Sequence, residues 1–392
     1  MKRTYLDHNA SSPLRPEARD AMLAAMETCG NPSSIHAEGR AAKAIVEAAR
    51  ETVARSMEAV ARNVIFTSGG TEAANAAIFI ASRALRPGAE PAAIVASATE
   101  HACVLQAPSH VIPVSGKGLL DLNSLRACLS AIGPTVVAVQ DANNETGVKQ
   151  PYLELAKIAR EAGALTVCDA VQTAGRTGVD AGSLGADIVF ISGHKFGGPK
   201  GVGAVVLRRD LIAEPLLRGG GQERGRRGGT ENVAAIAGMA AALTAGDAVS
   251  KAFGASAFKA QGELEAGLRA ICSDVLIFGE GAARIPNTTC FAAPGVPAEI
   301  ALMAFDLEGV SVSSGSACSS GKVAPSHVLA AMGVAPDLAK CAIRVSTGWN
   351  TTDAEIERFL DVWDKIYTRF TRGCAVAQRL DTTVMPGLDP GI

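Results

Sequence analysis

The chain has 392 residues, 48% hydrophobic and 19% charged, which suits a soluble protein with a large core and exceeds what one simple core takes up. Lys and Arg number 37 against 39 Asp and Glu, a net charge of −2, so no global field favours nucleic acid or an anionic membrane surface. The nine cysteines are scattered and form no CxxC pair, which argues against a disulfide framework and a zinc site and for a reducing cytoplasm.

Residues 1–14 read as an extended, turn-rich lead, and MKRTYLDHNASSP lacks the apolar centre of a secretory signal. A helical pattern runs from Pro16 to Met26. The polar loop GNPSSIHAEGR follows, and its Ser33 or Ser34 can cap a helix over about Ala37 to Ala59. Val64 to Thr67 reads as a strand that stops at Ser68-Gly69-Gly70-Thr71, before an Ala-rich helix from Glu72. A strand, a glycine turn and a helix N-terminus suit a phosphate, because free N–H groups and the helix dipole face the anion. An ordinary βα turn capped by Thr71 fits these residues equally well, and neither a Walker nor a GxGxxG pattern is present.

Four more strands follow, each ending in polar residues. Ala93 to Ser97 leads to His101, Thr135 to Gln140 leads to Asn144, and Leu165 to Cys168 delivers Asp169 with Gln172 beyond it. Asp187 to Ile191 delivers Ser192, His194 and Lys195, and Val202 to Leu207 is a further strand. Strands alternating with helices over residues 60–210 predict an α/β domain with a largely parallel sheet, whose ligands lie past the carboxyl ends of the strands. A lone lysine at a strand end is most often a solvated one. Lys195 follows Ser-Gly-His and precedes a Gly-rich loop, a setting that can desolvate the amine and free it for a covalent bond to a carbonyl. Five strand ends thus carry Thr71, His101, Asn144, Asp169 and Lys195 to one rim.

Residues 218–232, RGGGQERGRRGGTEN, hold four arginines and no aromatic, which favours a subunit or phosphate contact over a nucleic-acid surface. Val233 to Ala245 is a small-residue helix, short of the roughly 20 residues that cross a bilayer. Beyond it the pattern becomes α+β, with helices around Ala257 to Cys272 and Thr352 to Tyr367 and strands near Asn287 to Ala292 and Ala342 to Ser346. The predicted domains are 15–254, a large one, and 255–376, a smaller one. Residues 377–392 are expected to form a mobile tail.

Pyridoxal phosphate asks a protein for a lysine to bond it, a carboxylate for its ring nitrogen, a flat group to stack on the ring and a helix N-terminus for the phosphate. Lys195, Asp169, His101 and the turn at Gly70 and Thr71 can fill these places. Asn144 and Gln172 can bond the ring's phenolic oxygen, and Ser192 and His194 can add donors to the phosphate. Cys318 lies in SSGSACSSG, with almost nothing apolar to bury it, and an accessible loop thiol is the reactive kind. Arg344, in a short strand pattern, suits either a substrate carboxylate or an interdomain ion pair.

The motifs YLDHNASSP, GNPSSIHAEGR, FTSGGTEAANAAI, NNETG, DAVQTAGR, SGHKFGGPKGVG, GGGQERGRRGGTEN, SSGSACSSG and IRVSTGW resemble, in order, those of the NifS/IscS-type cysteine desulfurases. The resemblance implies a fold-type I pyridoxal-phosphate homodimer, with a mostly parallel seven-stranded sheet in the large domain and residues 1–14 joined to the small one. It implies that Lys195 binds the cofactor and moves the Cα proton of L-cysteine, and that His101 stacks and relays a proton. Arg344, with Asn31 and Asn144, would hold the substrate carboxylate, and Thr230 would reach the phosphate in the partner subunit. Cys318 would take the sulfur as a persulfide, leaving L-alanine, and pass it to an iron–sulfur scaffold protein, with which it would briefly share a [2Fe-2S] cluster as a metal ligand. Ser11-Ser12, Thr173 and the TGW at 347–349 depart from the family's usual residues. The competing readings are a selenocysteine lyase, another pyridoxal-phosphate lyase or aminotransferase, and, in another class, a catalytically silent scaffold-binding subunit.

Overall fold

The computed structural model of the chain describes residues 3–106, 108–177, 184–211, 214–314 and 326–381, with side chains placed as far as Thr371. Cys318 and the tail from 382 lie outside the described residues. Seven strands form the main sheet, in the order Val64–Thr67, Gly203–Leu207, Ile188–Ser192, Leu165–Asp169, Thr135–Gln140, Ala93–Ser97, His110–Ile112. Gly203–Leu207 runs antiparallel to both neighbours, and all the other pairings are parallel.

Residues two apart on a strand share a face, and both faces here are apolar. Val189 and Ile191 enter one core with Val46, Val53, Leu155 and Met239. Ile188 and Phe190 enter the other, against Ala73, Ala77 and Ile80 of the helix Gly70–Leu85. Near-continuous apolar runs are what a sheet buried on both faces demands, which is why these strands were legible. His110–Ile112 was not. It is three residues long, with one buried, and sits at the sheet edge.

A four-stranded antiparallel sheet, Ser313–Ser314, Ala342–Ser346, Thr288–Ala292 and Leu276–Ile277, builds the second unit. Its core is aromatic: Phe305 stacks on Phe359 at 5.0 Å, and Phe291 meets Trp363 edge-on at 5.2 Å. Leu6 belongs to this core. Thr4–Tyr5 pairs in parallel with Val310–Ser311, so the N-terminal lead joins this unit.

The predicted division at residue 254 falls within a helix, so the helical stretches 233–245 and 257–272 are corrected to one: Val233–Ile271 runs unbroken. Its first turns bury Ile236, Met239 and Leu243 in the large core, and its later turns bury Leu264 and Leu268 in the small one. The stretch 247–256 between them belongs to the same helix and is partly or fully exposed. By length and composition alone it is, among the described residues, the one helix that meets the requirement for crossing a bilayer, but its apolar face is committed to these two cores. At Gly246 it passes the turn after Leu165–Asp169 so closely that a Cβ would stand 2.2 Å from the Gly175 carbonyl oxygen. The last helix, Asp353–Asp381, also extends beyond Tyr367, so residues 377–381 are helical rather than tail.

Phe359 is fully buried between Phe305 and Phe291. Phe359→Ala is expected to cost about 3–5 kcal/mol, as emptied aromatic core sites do. A urea titration checks this, and a loss below about 1 kcal/mol would mean the small core collapses around the gap.

Candidate active site

The carboxyl ends of the parallel strands open on a cavity of about 560 Å³. Its lining includes Gly70, Thr71, His101, Asn144, Asp169, Gln172, Ser192, His194, Lys195 and Arg344. These residues come from both units and span most of the chain.

Lys195 ends the single turn Gly193–Lys195 that follows Ile188–Ser192. Its Nζ donates to the Asn9 carbonyl at 2.6 Å. Burial, then the charges of Arg176 and Arg344, bring the amine down to about 8, against the pull of Asp169 and Asp7. The amine is still mostly protonated at neutral pH, but its neutral share is far larger than that of a solvated lysine. Asp169, the last residue of its strand, accepts the Val171 N–H at 2.8 Å through Oδ1. Burial pushes its carboxyl up to about 6, while that N–H and Lys195 act in the other direction.

His101 caps the short helix Ala102–Leu105, and its Nδ1 accepts the Cys103 N–H at 3.2 Å. The Cys103 thiol lies 3.0 Å from the same nitrogen. With Nδ1 held as an acceptor, the ring proton belongs on Nε2. Burial, with Lys195 and His327 nearby, lowers the His101 pKa and keeps the ring neutral. His194 is brought down to about 4 by burial and the charges of Lys195, Lys200 and Arg176, and its Nδ1 lies 3.2 Å from Ser11 Oγ.

Gly70 opens the helix Gly70–Leu85 beneath Ser192, and a Cβ there would stand 3.1 Å from the Ser192 Cβ. The free N–H groups of that helix end face the cavity near Thr71. The turn is braced by Glu72, which accepts the Ser68 N–H at 2.7 Å and pairs with Arg227 at 2.8 Å. Arg227 belongs to the loop carrying Thr230.

Arg344 forms an ion pair, with the lead that joins its own unit, and a hydrogen bond across to the large one. Its Nη2 pairs with Asp7 at 2.7 Å and its Nη1 donates to the Asn144 carbonyl at 3.1 Å. Its buried Nε has no partner. A guanidinium has five N–H donors, so donors remain for a carboxylate in the cavity. Asn31 and Thr230 are not brought there. Both are exposed and off the lining, and the Asn31 carboxamide accepts the Ser33 N–H at 2.9 Å.

Two functional positions escaped the sequence reading. Asn9 supplies the carbonyl for Lys195 and Gln172 and donates to Thr288 Oγ1 at 2.8 Å. Arg176 donates to four neutral acceptors around the site. Asn9 is 186 positions from Lys195, so no local pattern joins them. Arg176 follows Gln172 by four residues, a spacing that was visible but carried no meaning without the turn.

The residues suit pyridoxal phosphate. A lysine amine of lowered basicity, a strand-end carboxylate, a flat imidazole and a glycine-opened helix N-terminus share one cavity large enough for cofactor and amino acid together.

Comparison with known proteins agrees. The aminotransferase class-V family matches residues 4–359. A cysteine desulfurase of Cereibacter sphaeroides is 42% identical over 377 residues, 92% of this chain and 95% of its own. The cysteine desulfurase IscS of Dictyoglomus turgidum is 40% identical over 388 residues, covering 93% and 95%. The crystallographic structure of a NifS-like protein from Rickettsia africae superimposes with a TM-score of 0.85 at 34% identity, covering 93% of this chain and 99% of that one.

Lys195→Ala is expected to abolish the visible absorbance of bound cofactor, read directly on the purified protein. Arg344→Lys is expected to raise the KM for an amino-acid substrate about tenfold or more, because an ammonium cannot offer a carboxylate two parallel bonds. An unchanged KM would place the carboxylate elsewhere.

Proposed function

The chain belongs to the aminotransferase class-V family, and we infer that it is a pyridoxal-phosphate-dependent cysteine desulfurase, converting L-cysteine to L-alanine and a protein-bound persulfide. The observation that carries this reading is the half-buried Lys195, its amine brought down to about 8, sharing one cavity with Asp169 and Arg344.

Pyridoxal phosphate supplies an electron sink that weakens the bonds at the substrate Cα. The residues do the rest. Lys195 would hold the cofactor and, as a general base, would take the Cα proton of the substrate. Asp169 would face the ring nitrogen with the oxygen that Val171 leaves open. His101 would lie against the ring and offer Nε2–H as a donor. Thr71, Ser192 and His194 would hold the phosphate, and Gln172 and Asn144 would bond the phenolic oxygen. Arg344 orients the substrate by its carboxylate, which puts the substrate sulfur on the open side of the cavity.

Cys318 is assigned the sulfur step from sequence alone. Its thiolate attacks the substrate sulfur, the C–S bond breaks, and the carbon is protonated to give L-alanine. The sulfur stays on Cys318 as a persulfide. Ser313 lines the cavity five residues before it. On the other side, Ser326 donates to the buried Glu145 carboxyl at 2.5 Å, so both described ends of this segment are tied to the site.

We further propose a homodimer in which Thr230 of one protomer reaches the phosphate held by its partner. Its exposure and the anchoring of its loop through Arg227 and through the buried pair Arg50–Glu223 support this. The sulfur acceptor is proposed to be an iron–sulfur scaffold protein. Among the described residues no group of three His, Cys, Asp or Glu can hold a metal ion, so a transient [2Fe-2S] cluster on Cys318 would take its other ligands from that acceptor. The place of action is proposed to be the cytoplasm, which suits the seven free thiols among the described residues.

The test is alanine release from L-cysteine by the purified protein with pyridoxal phosphate, with Cys318→Ala alongside. The native protein alone should release alanine, and Cys318→Ala should keep its bound cofactor and lose turnover by a factor of about 100 or more. Equal release from both would identify a lyase that expels sulfur without the thiol.

A further inference from the structure

The turn after Leu165–Asp169 places Arg176 almost wholly out of water, at 6% exposure. Its bonds are fully directed. Nε donates to the Lys195 carbonyl at 2.6 Å, Nη2 to the His8 carbonyl at 2.6 Å, and Nη1 to Asn9 Oδ1 and Gln172 Oε1 at 2.9 Å each. All four acceptors are uncharged. Of the buried arginines, Arg50 and Arg344 each pair with a carboxylate, whereas Arg15, bonded to the Phe196 carbonyl, and Arg176 pair with no Asp or Glu among the described residues. A buried charge without a counter-ion is costly, and neutral donors could satisfy the same four acceptors.

We propose that Arg176 is a positioning residue that favours the uncharged form of the Lys195 amine, by holding an unneutralised positive charge near it and by fixing the Asn9 segment whose carbonyl receives it. The proposal rests on the reading of Lys195 as the lysine that bonds the cofactor.

The surroundings of Lys195 isolate this effect. After burial itself, Arg176 is the largest influence lowering its pKa, ahead of Arg344. Arg344 comes from the small unit's strand with Asp7 already paired to it, which cancels much of its field. Asp169, from the neighbouring strand end, and Asp7, from the N-terminal lead, act in the opposite sense. His101 and His194 face the amine too, and both are kept neutral partly by it. Burial and nearby arginines bring Arg176 itself down only to about 9, so its charge persists where the amine of Lys195, at about 8, is losing its own. A neutral amine is what attack on a carbonyl requires.

The test is competitive labelling of the full chain, freed of cofactor, with a trace amine-reactive reagent between about pH 6 and pH 11, the Lys195 peptide being quantified by mass spectrometry. The native inflection is expected near pH 8, the value its surroundings impose. Arg176→Gln, which keeps polar bonding and loses the charge, should raise the inflection by about one unit and cut labelling near neutrality about tenfold. Arg176→Lys, which keeps the charge and gives up the fork of bonds, should leave the inflection in place. An equal rise in both variants would make Arg176 a scaffold only, and no change in either would leave burial as the sole cause; both results overturn the proposal. Should Arg176→Gln fail to fold by circular dichroism, Arg176→Met takes its place as the uncharged variant, an unmoved inflection overturning the proposal and a raised one, beside an unmoved one in Arg176→Lys, supporting it. Because labelling needs no turnover, a failure of the desulfurase reading would leave this result intact.

Discussion

A half-buried lysine amine, brought down to about 8, is the constraint around which this molecule is arranged. Lys195 ends at the Asn9 carbonyl, 2.6 Å away, so the first ten residues must lie across the centre of the site. Arg176 secures that arrangement from below by bonding His8, Asn9, Gln172 and Lys195 together. Asn9 then reaches Thr288 and the Asn144 carbonyl, which ties the lead to the small unit and to the turn at the next strand end. Local segments far apart in sequence thus become one surface, and the chemistry of the amine follows from that closure.

The parallel sheet makes the closure possible. Strands buried on both faces leave only their ends free for polar groups, and the carboxyl ends all open on one side. Asp169 and Lys195 leave neighbouring strands, while His101 and Asn144 leave others in the same sheet. The helix Val233–Ile271 then carries the small unit from the large core without a flexible joint. Arg344, on the small sheet, is held over the cavity by Asp7. Burial alone would favour a neutral carboxyl at Asp169, at about 6; a protonated ring nitrogen facing it would supply the charge that keeps it ionised.

A second organised region lies at the loop carrying Thr230. Glu223 and Arg224 adopt left-handed backbone, at φ 49° and 60°, which costs about 1–2 kcal/mol for each such residue. Glu223 is nonetheless fixed by a bidentate pair with Arg50, at 2.6 and 3.0 Å, and by the Phe66 N–H. Breaking such a buried pair typically costs about 3–5 kcal/mol, so the strained turn persists. The same loop grips the first turn of the helix Gly70–Leu85 through Arg227 and Glu72. It is therefore rigid where it touches its own subunit and exposed at Thr230.

Much of this was legible in the sequence. The strands of the main sheet announce themselves as apolar runs because both faces are covered, and the residues just beyond Val64–Thr67, Thr135–Gln140 and Ile188–Ser192 line the cavity as their polar endings suggest. The motifs also identified the family, since each is a local string. What the sequence could not supply is distance between strings. Asn9 and Arg176 matter only because folding sets them against Lys195. The helix Val233–Ile271 read as two because its middle turns face neither core, and only packing at both ends shows it to be continuous. Asn31 and Thr230 carry family motifs yet stay outside the cavity of the single chain. Residue identity fixed which chemistry was available, and tertiary packing, by deciding which charges lose their water and which lose their partners, set the protonation state in which that chemistry operates.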